Sequence, residues 1–105
     1  MTTFKEREEG FEKMFAHDEE RRFKANARRN KLFGLWAAGK LGLTGDEAEA
    51  YAKGVVTADF EATDGVLRKV RTDLEAKGVA LSEHQIRRTM DELMEQAIAQ
   101  IKAGG

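Results

Sequence analysis

The sequence predicts an all-α protein: a four-helix bundle with a long first helix or a frayed N-terminal arm. Three observations carry that expectation. The 105 residues contain no proline, which removes the commonest helix breaker, and Ala, Glu, Lys, Arg and Leu dominate the remainder. No stretch alternates apolar and polar residues with period two, as a half-buried strand would. Helix start and stop signals recur instead, separated by connections short enough to make consecutive helices antiparallel neighbours.

The first element opens at Thr3, which with Glu6 makes a capping box, so a helix can start near Phe4. Lys5/Glu9, Glu9/Lys13 and Asp18/Arg22 stand at i,i+4 as attractive pairs, and Glu8/Glu12 as a repulsive one. Each good pair contributes only about 0.2–0.5 kcal/mol, while Gly10 costs about 1 kcal/mol against alanine. Alone, this segment is expected to be a marginal helix that needs a partner. Its aromatics point to one. Phe11, Met14 and Phe15 stand at i, i+3 and i+4 and form a single apolar patch, with Phe4 and Arg7 one or two turns before it. That is the layout of anchors for a helix laid in a groove; the plainer alternative is that they fold back on the bundle.

From Asp18 the helical pattern strengthens and runs through Trp36, where Leu32 to Ala38 is apolar on nearly every side. Gly39, Gly42 and Gly45 should end it between Lys40 and Leu43. This contrast sets the expected division: residues 1–19 as an arm and 20–105 as the helical bundle. A second capping box, Thr44 with Glu47, opens a short helix through Ala48, Tyr51 and Ala52 towards Gly54 or Val56. A third helix is expected from near Asp59, with Phe60, Leu67, Val70 and Leu74 on one stripe, Thr63 between them, and Lys77-Gly78 as its stop. The fourth has the clearest start: Ser82 caps, Gln85 reaches back, and Leu81 with Ile86 forms a hydrophobic staple. Ile86, Met90, Leu93, Met94, Ala97 and Ile101 then share a stripe.

Composition excludes several functions. The formal net charge of −1 gives the whole molecule no strong pull towards nucleic acid or a membrane surface. Without cysteine there is no disulfide and no thiolate metal site, a weak lean towards an intracellular home. No apolar run approaches the ~20 residues of a membrane span, and the acidic start Met1-Thr-Thr-Phe-Lys-Glu-Arg-Glu-Glu carries no signal-peptide apolar region. The expected compartment is the cytoplasm.

Gly34-Leu-Trp-Ala-Ala-Gly39-Lys40-Leu41 nearly spells a phosphate-binding P-loop, but Leu41 stands where Ser or Thr must hold magnesium, and the stretch continues a helix instead of following a strand. Close helix packing, with glycine admitting a neighbouring backbone, explains it better. Arg21, Arg22, Lys24, Arg28, Arg29 and Lys31 put six cations in eleven residues. Such a run is a solvated helix face, a surface for an acidic protein partner or, less well supported, an RNA contact, because Phe23, Ala25 and Ala27 give part of it to packing. His17 and His84 lie in different helices, each beside an acid that diverges from it around the helix, so no zinc site is expected. No carboxylate pair is marked by spacing for acid–base chemistry, and no enzyme emerges.

One resemblance covers essentially the whole chain. Its residues are Met1-Thr-Thr-Phe-Lys-Glu-Arg-Glu-Glu, Phe11-Glu12, Phe15-Ala-His-Asp18, Phe23-Lys24, Ala27-Arg-Arg-Asn-Lys-Leu-Phe-Gly-Leu-Trp-Ala-Ala38 and Tyr51-Ala-Lys. The long Ala27–Ala38 string is the most specific. By these the chain resembles the zeta subunit of certain bacterial F-type ATP synthases, an ATPase inhibitor family. The resemblance implies a four-helix bundle whose N-terminal segment, Thr2 to Glu19 here, enters an interface between catalytic subunits near the rotor and stops ATP hydrolysis. The anchors would be Phe4, Lys5, Arg7, Phe11, Met14 and Phe15. The implied partners are the catalytic alpha and beta subunits and the rotor, with the protein peripherally attached to the membrane-bound synthase and not inserted in the membrane; the sequence itself leans to a monomer when free. No cofactor is implied. The resemblance allows weak nucleotide binding, for which the sequence offers no site, and an RNA-binding adaptor using Arg21 to Lys31 is the alternative from another class.

Overall fold

The computed structural model describes residues 19–62 and 64–104. These form four helices and no strand: α1 (Glu19–Lys40), α2 (Gly45–Ala58), α3 (Gly65–Ala76) and α4 (Glu83–Lys102). The helix expected near Phe4 and the residue Thr63 lie outside the described residues. Helix α1 is the spine, packing against all three others and most extensively against α2 and α4.

The stops are where backbone chemistry puts them. At the end of α1, Leu43 N–H donates to the Ala38 carbonyl at 2.8 Å and Gly42 N–H to the Gly39 carbonyl at 3.2 Å, with Gly42 at φ +80°. At the end of α3, Val79 N–H donates to Leu74 at 2.9 Å and Gly78 N–H to Glu75 at 3.0 Å, with Gly78 also at φ +80°. Both are the paired-bond stop that requires a left-handed residue, which glycine adopts without steric cost.

The starts are less uniform. Ser82 Oγ accepts from Gln85 N–H at 3.1 Å and Gln85 Oε1 accepts from Ser82 N–H at 2.9 Å, so the expected box at α4 is closed in both directions. Ile86 is buried and Leu81 packs on the same core, as a staple requires. At α2, Thr44 stands at the N-cap in extended conformation, yet its side chain makes no capping hydrogen bond. The helix starts at the expected place by backbone bonding, with Ala48 N–H reaching the Thr44 carbonyl at 3.4 Å.

Two expectations about the middle of the chain fail together. Helix α2 does not stop at Gly54 or Val56 but continues to Ala58, which is buried, and α3 begins at Gly65 instead of near Asp59. Phe60 therefore belongs to the turn after α2, where its N–H donates to Thr57, and it is 70% exposed instead of joining the α3 stripe. The physical reason is the tightness of the corner. A Cβ on Gly65 would collide with the Ala58 carbonyl oxygen, so the chain must clear α2 before a helix can resume.

The core draws on every helix. Phe33 and Ala37 from α1, Val55 from α2, Val66, Leu67, Val70 and Leu74 from α3, and Ile86 from α4 form one buried cluster. Full burial of a side chain such as Phe33 is worth about 1.5–3 kcal/mol. Trp36 stacks on Phe33 with ring centroids 5.6 Å apart and planes 9° from parallel, closing the cluster on the α1 side. Met90 and Leu93 pack against it from α4, on the stripe expected for that helix.

Candidate docking surface

The residues expected to anchor a partner, Phe4, Lys5, Arg7, Phe11, Met14 and Phe15, lie outside the described residues, as does His17. What the structure shows is the helix into which they lead. Helix α1 has one face committed to the interior. Ala25, Phe33, Ala37 and Ala38 have no exposed surface there, and Asn30 is buried among them.

The run of six cations does not form one surface. Lys24, Arg28 and Lys31 stand at i, i+4 and i+7 and so share a row along α1. Arg29 leaves that row and is partly buried. Its Nε donates to Asn30 Oδ1 at 2.7 Å, and Asp59 and Asp91 lie near enough to act on its charge. Burial pulls the Arg29 guanidinium below its ordinary pKa, and the two aspartates partly oppose that shift. Helix α1 thus presents three aligned cations and turns a fourth inward.

Beside the aligned cations runs an open groove of about 760 Å³. Ala27, Leu32 and Leu35 from α1 and Val56 from α2 supply its apolar lining; Phe23 stands at one end, and Lys24, Arg28, Lys31 and Gln100 line it with polar groups. Phe23 is 58% exposed, and its ring lies beside that of Phe60, also exposed, with centroids 6.4 Å apart. The expectation that Phe23 packs inward with Ala25 is corrected here: Ala25 is buried and Phe23 is not. Sequence reasoning missed the groove, although the i+4 steps from Phe23 to Ala27 and from Lys31 to Leu35 are its signature.

The exposed cations have modest partners. Lys24 Nζ lies 3.7 Å from Glu20 and Lys31 Nζ 4.0 Å from Glu49, all on exposed side chains. Arg28 Nη1 donates to the neutral amide Oε1 of Gln100 at 3.4 Å. Exposed pairs of this kind contribute about 0–1 kcal/mol, little enough to be exchanged for an incoming carboxylate.

Around Gly34 the near-P-loop is helix up to Lys40, with Leu41 in the turn: a Cβ at Gly34 would lie 2.7 Å from Ala52 Cα, so glycine is what lets α1 and α2 cross closely. Lys40, the lysine of that near-motif, sits with Nζ 5.9 Å from the centroid of Trp36. Tyr51 donates its hydroxyl hydrogen to Asp73 Oδ2 at 2.8 Å, and Lys69 Nζ reaches the same oxygen at 3.2 Å while lying 5.1 Å over the Tyr51 ring. Burial, with the Asp73 hydrogen bond and charge behind it, pushes the Tyr51 phenol above its ordinary range. This is a clasp between α2 and α3. Among the described residues no group of three or more His, Cys, Asp or Glu could hold a metal ion, and His84 is exposed on α4.

Comparison with known proteins brings these features to one place. The sequence model of the family described as ATPase inhibitor subunit zeta matches residues 1–100. No curated protein sequence matches. A structure solved by solution NMR is similar at a TM-score of 0.69 and 49% identity, over 79% of this chain and 96% of that one.

Proposed function

The chain belongs to the ATPase inhibitor subunit zeta family, and from that premise we propose that it stops ATP hydrolysis by an F-type ATP synthase through insertion of its N-terminal segment. Residues 2–19 enter an interface between catalytic subunits near the rotor, and the bundle anchors them. Phe4, Phe11, Met14 and Phe15 fill apolar sites, while Lys5 and Arg7 meet acidic groups. The protein acts without a cofactor, as a subunit peripherally attached to the synthase. No helix among the described residues is long and apolar enough to cross a membrane.

The observation that carries this reading is a family match reaching to residue 1, over a segment in whose sequence Phe11, Met14 and Phe15 stand at i, i+3 and i+4. The energetics support a tethered insert. Ordering the segment costs about 1–2 kcal/mol per residue in backbone entropy. Three buried aromatics and Met14 return only about 1.5–3 kcal/mol each, so backbone hydrogen bonds and charge pairs within the site must supply the rest. Tethering to a docked bundle raises the local concentration of the segment and lets it compete.

Deletion of residues 2–18 tests the proposal. The truncated chain should keep its helical circular dichroism and lose inhibition of ATP hydrolysis by the synthase. Inhibition as strong as that of the full chain would remove the insertion mechanism.

A further inference from the structure

We propose that the groove along α1 is the surface by which the bundle grips the catalytic head of the synthase, and that its occupant is an acidic amphipathic helix of that head. The inference rests on the inhibitory reading and names the contact through which the bundle anchors.

Three features define the occupant. The lining is aliphatic and open: Ala27, Leu35 and Val56 face a groove of about 760 Å³, and Phe23 stands exposed at its end. A surface helix normally keeps one apolar face and turns it inward. Helix α1 already has that face, in Ala25, Phe33 and Ala37, so the groove is a second one. Charge is the next feature. Lys24, Arg28 and Lys31 span about 10 Å along the helix at 1.5 Å per residue, and an acidic helix with carboxylates three or four residues apart would match that row. The present partners are easily displaced, since Glu20 and Glu49 are exposed and Gln100 is uncharged. Position is the last. Phe23 follows Glu19 by four residues, about 6 Å of helix, so a partner holding residues 2–19 brings its own surface against the groove.

The same features disfavour nucleic acid. A single-stranded RNA site offers several ring faces for stacking, whereas Phe23 is the one ring among the described residues that line this groove. Arg29, a fourth cation that such a site would recruit, is partly buried against Asn30 near Asp59 and Asp91.

The experiment compares the full chain with the Arg28→Glu/Lys31→Glu double variant and, separately, with Phe23→Ala. Affinity for the purified catalytic head is measured by surface plasmon resonance at low and high salt, beside inhibition of ATP hydrolysis. The double variant should bind at least tenfold more weakly and lose the salt dependence of the full chain. Phe23→Ala should weaken binding at both salt concentrations. Both should need a correspondingly higher concentration to inhibit, because residues 2–19 are intact and only the grip that tethers them is weakened. A Phe11→Ala/Phe15→Ala variant separates the two ideas: if it inhibits fully, the insertion reading fails, whereas the groove is judged by the first two variants alone. Unchanged affinity in both groove variants, each with native circular dichroism, overturns the groove proposal. It is equally overturned by nuclear Overhauser contacts between residues 2–18 and Leu35 in the free chain, by a dimer that charge reversal dissolves, or by RNA retention that charge reversal abolishes while binding to the head persists.

Discussion

Helix α1 has two faces, and they obey different rules. On the closed face Phe33, Ala37 and Ala38 are fully buried, and a Cβ at Gly34 would lie 2.7 Å from Ala52 Cα. On the open face Lys24, Arg28, Lys31 and Leu35 border a groove with room for side chains that the described residues do not supply, and Phe23, on Gly34's side of the helix but three turns earlier, borders it too. One helix of 22 residues thus holds the fold together and presents a surface. Substitutions on the closed face should therefore read out as stability, and substitutions on the open face as binding.

Gly34→Val gives the largest expected effect. The added Cβ would lie 2.7 Å from Ala52 Cα, a backbone atom that cannot rotate away, and 3.2 Å from Val55 Cβ. Helices α1 and α2 must then separate, at a cost of about 1–3 kcal/mol for overpacking. The gain in helix propensity from replacing glycine is only roughly a few tenths of a kcal/mol, so destabilisation wins. Denaturant unfolding with a lowered midpoint checks this. A midpoint at or above that of the parent chain would mean that the close crossing does not constrain the fold.

The closed face was largely legible in the sequence, because interior packing leaves periodic marks. The fourth helix could be placed to the residue from Ser82 and Gln85, and Gly42 and Gly78 marked two stops that the backbone needs. The middle of the chain was not legible. Gly54 reads as a stop, yet α2 passes through it, and a Cβ there would lie at an ordinary 3.6 Å from Lys69 Cε. The glycine penalty of about 1 kcal/mol is outweighed by carrying Val55 and Ala58 into the core. Phe60 misled for a related reason: it stands seven residues before Leu67, a spacing that mimics a stripe, but the corner at Gly65 intervenes. The open face left a weaker trace, since a groove between α1, α2 and α4 is assembled from residues far apart in sequence. The anchor residues proposed in the N-terminal segment lie outside the described residues, so their placement rests on pattern and family.

The clasp at the α2–α3 contact sharpens the comparison with an intermediate case, half-buried and polar. Tyr51→Phe removes the hydroxyl that donates to Asp73 but leaves the Lys69 contact to the same oxygen. A net hydrogen bond contributes about 0.5–1.5 kcal/mol, and partial exposure places the loss towards the lower end. The pH dependence has a definite sign. The folded-state phenol titrates above its ordinary range, so its contribution is complete below the unfolded pKa of about 10 and is lost as pH rises through the folded value. Alkaline unfolding curves of the parent should therefore fall more steeply than those of Tyr51→Phe. Parallel curves would show that Tyr51 is not the group responsible.

Phe23→Ala should have the smallest effect on stability, because the packing that closes the helix around Gly34 does not enclose Phe23 three turns earlier. Phe23 is 58% exposed, and its ring neighbour Phe60 is 70% exposed, so truncation opens no interior cavity. Substitutions at such sites usually stay within about 0.5 kcal/mol. A ring pair is ordinarily worth about 0.5–1.5 kcal/mol beyond its buried area, but here both rings are largely in water and their planes are tilted by 40°. Alanine also favours the helix over phenylalanine by roughly half a kcal/mol, which offsets what remains of the ring contact. Equilibrium unfolding should place the variant beside the parent chain. A loss comparable to that of Gly34→Val would make Phe23 part of the fold's own packing, and the open face would then be a structural surface like the closed one.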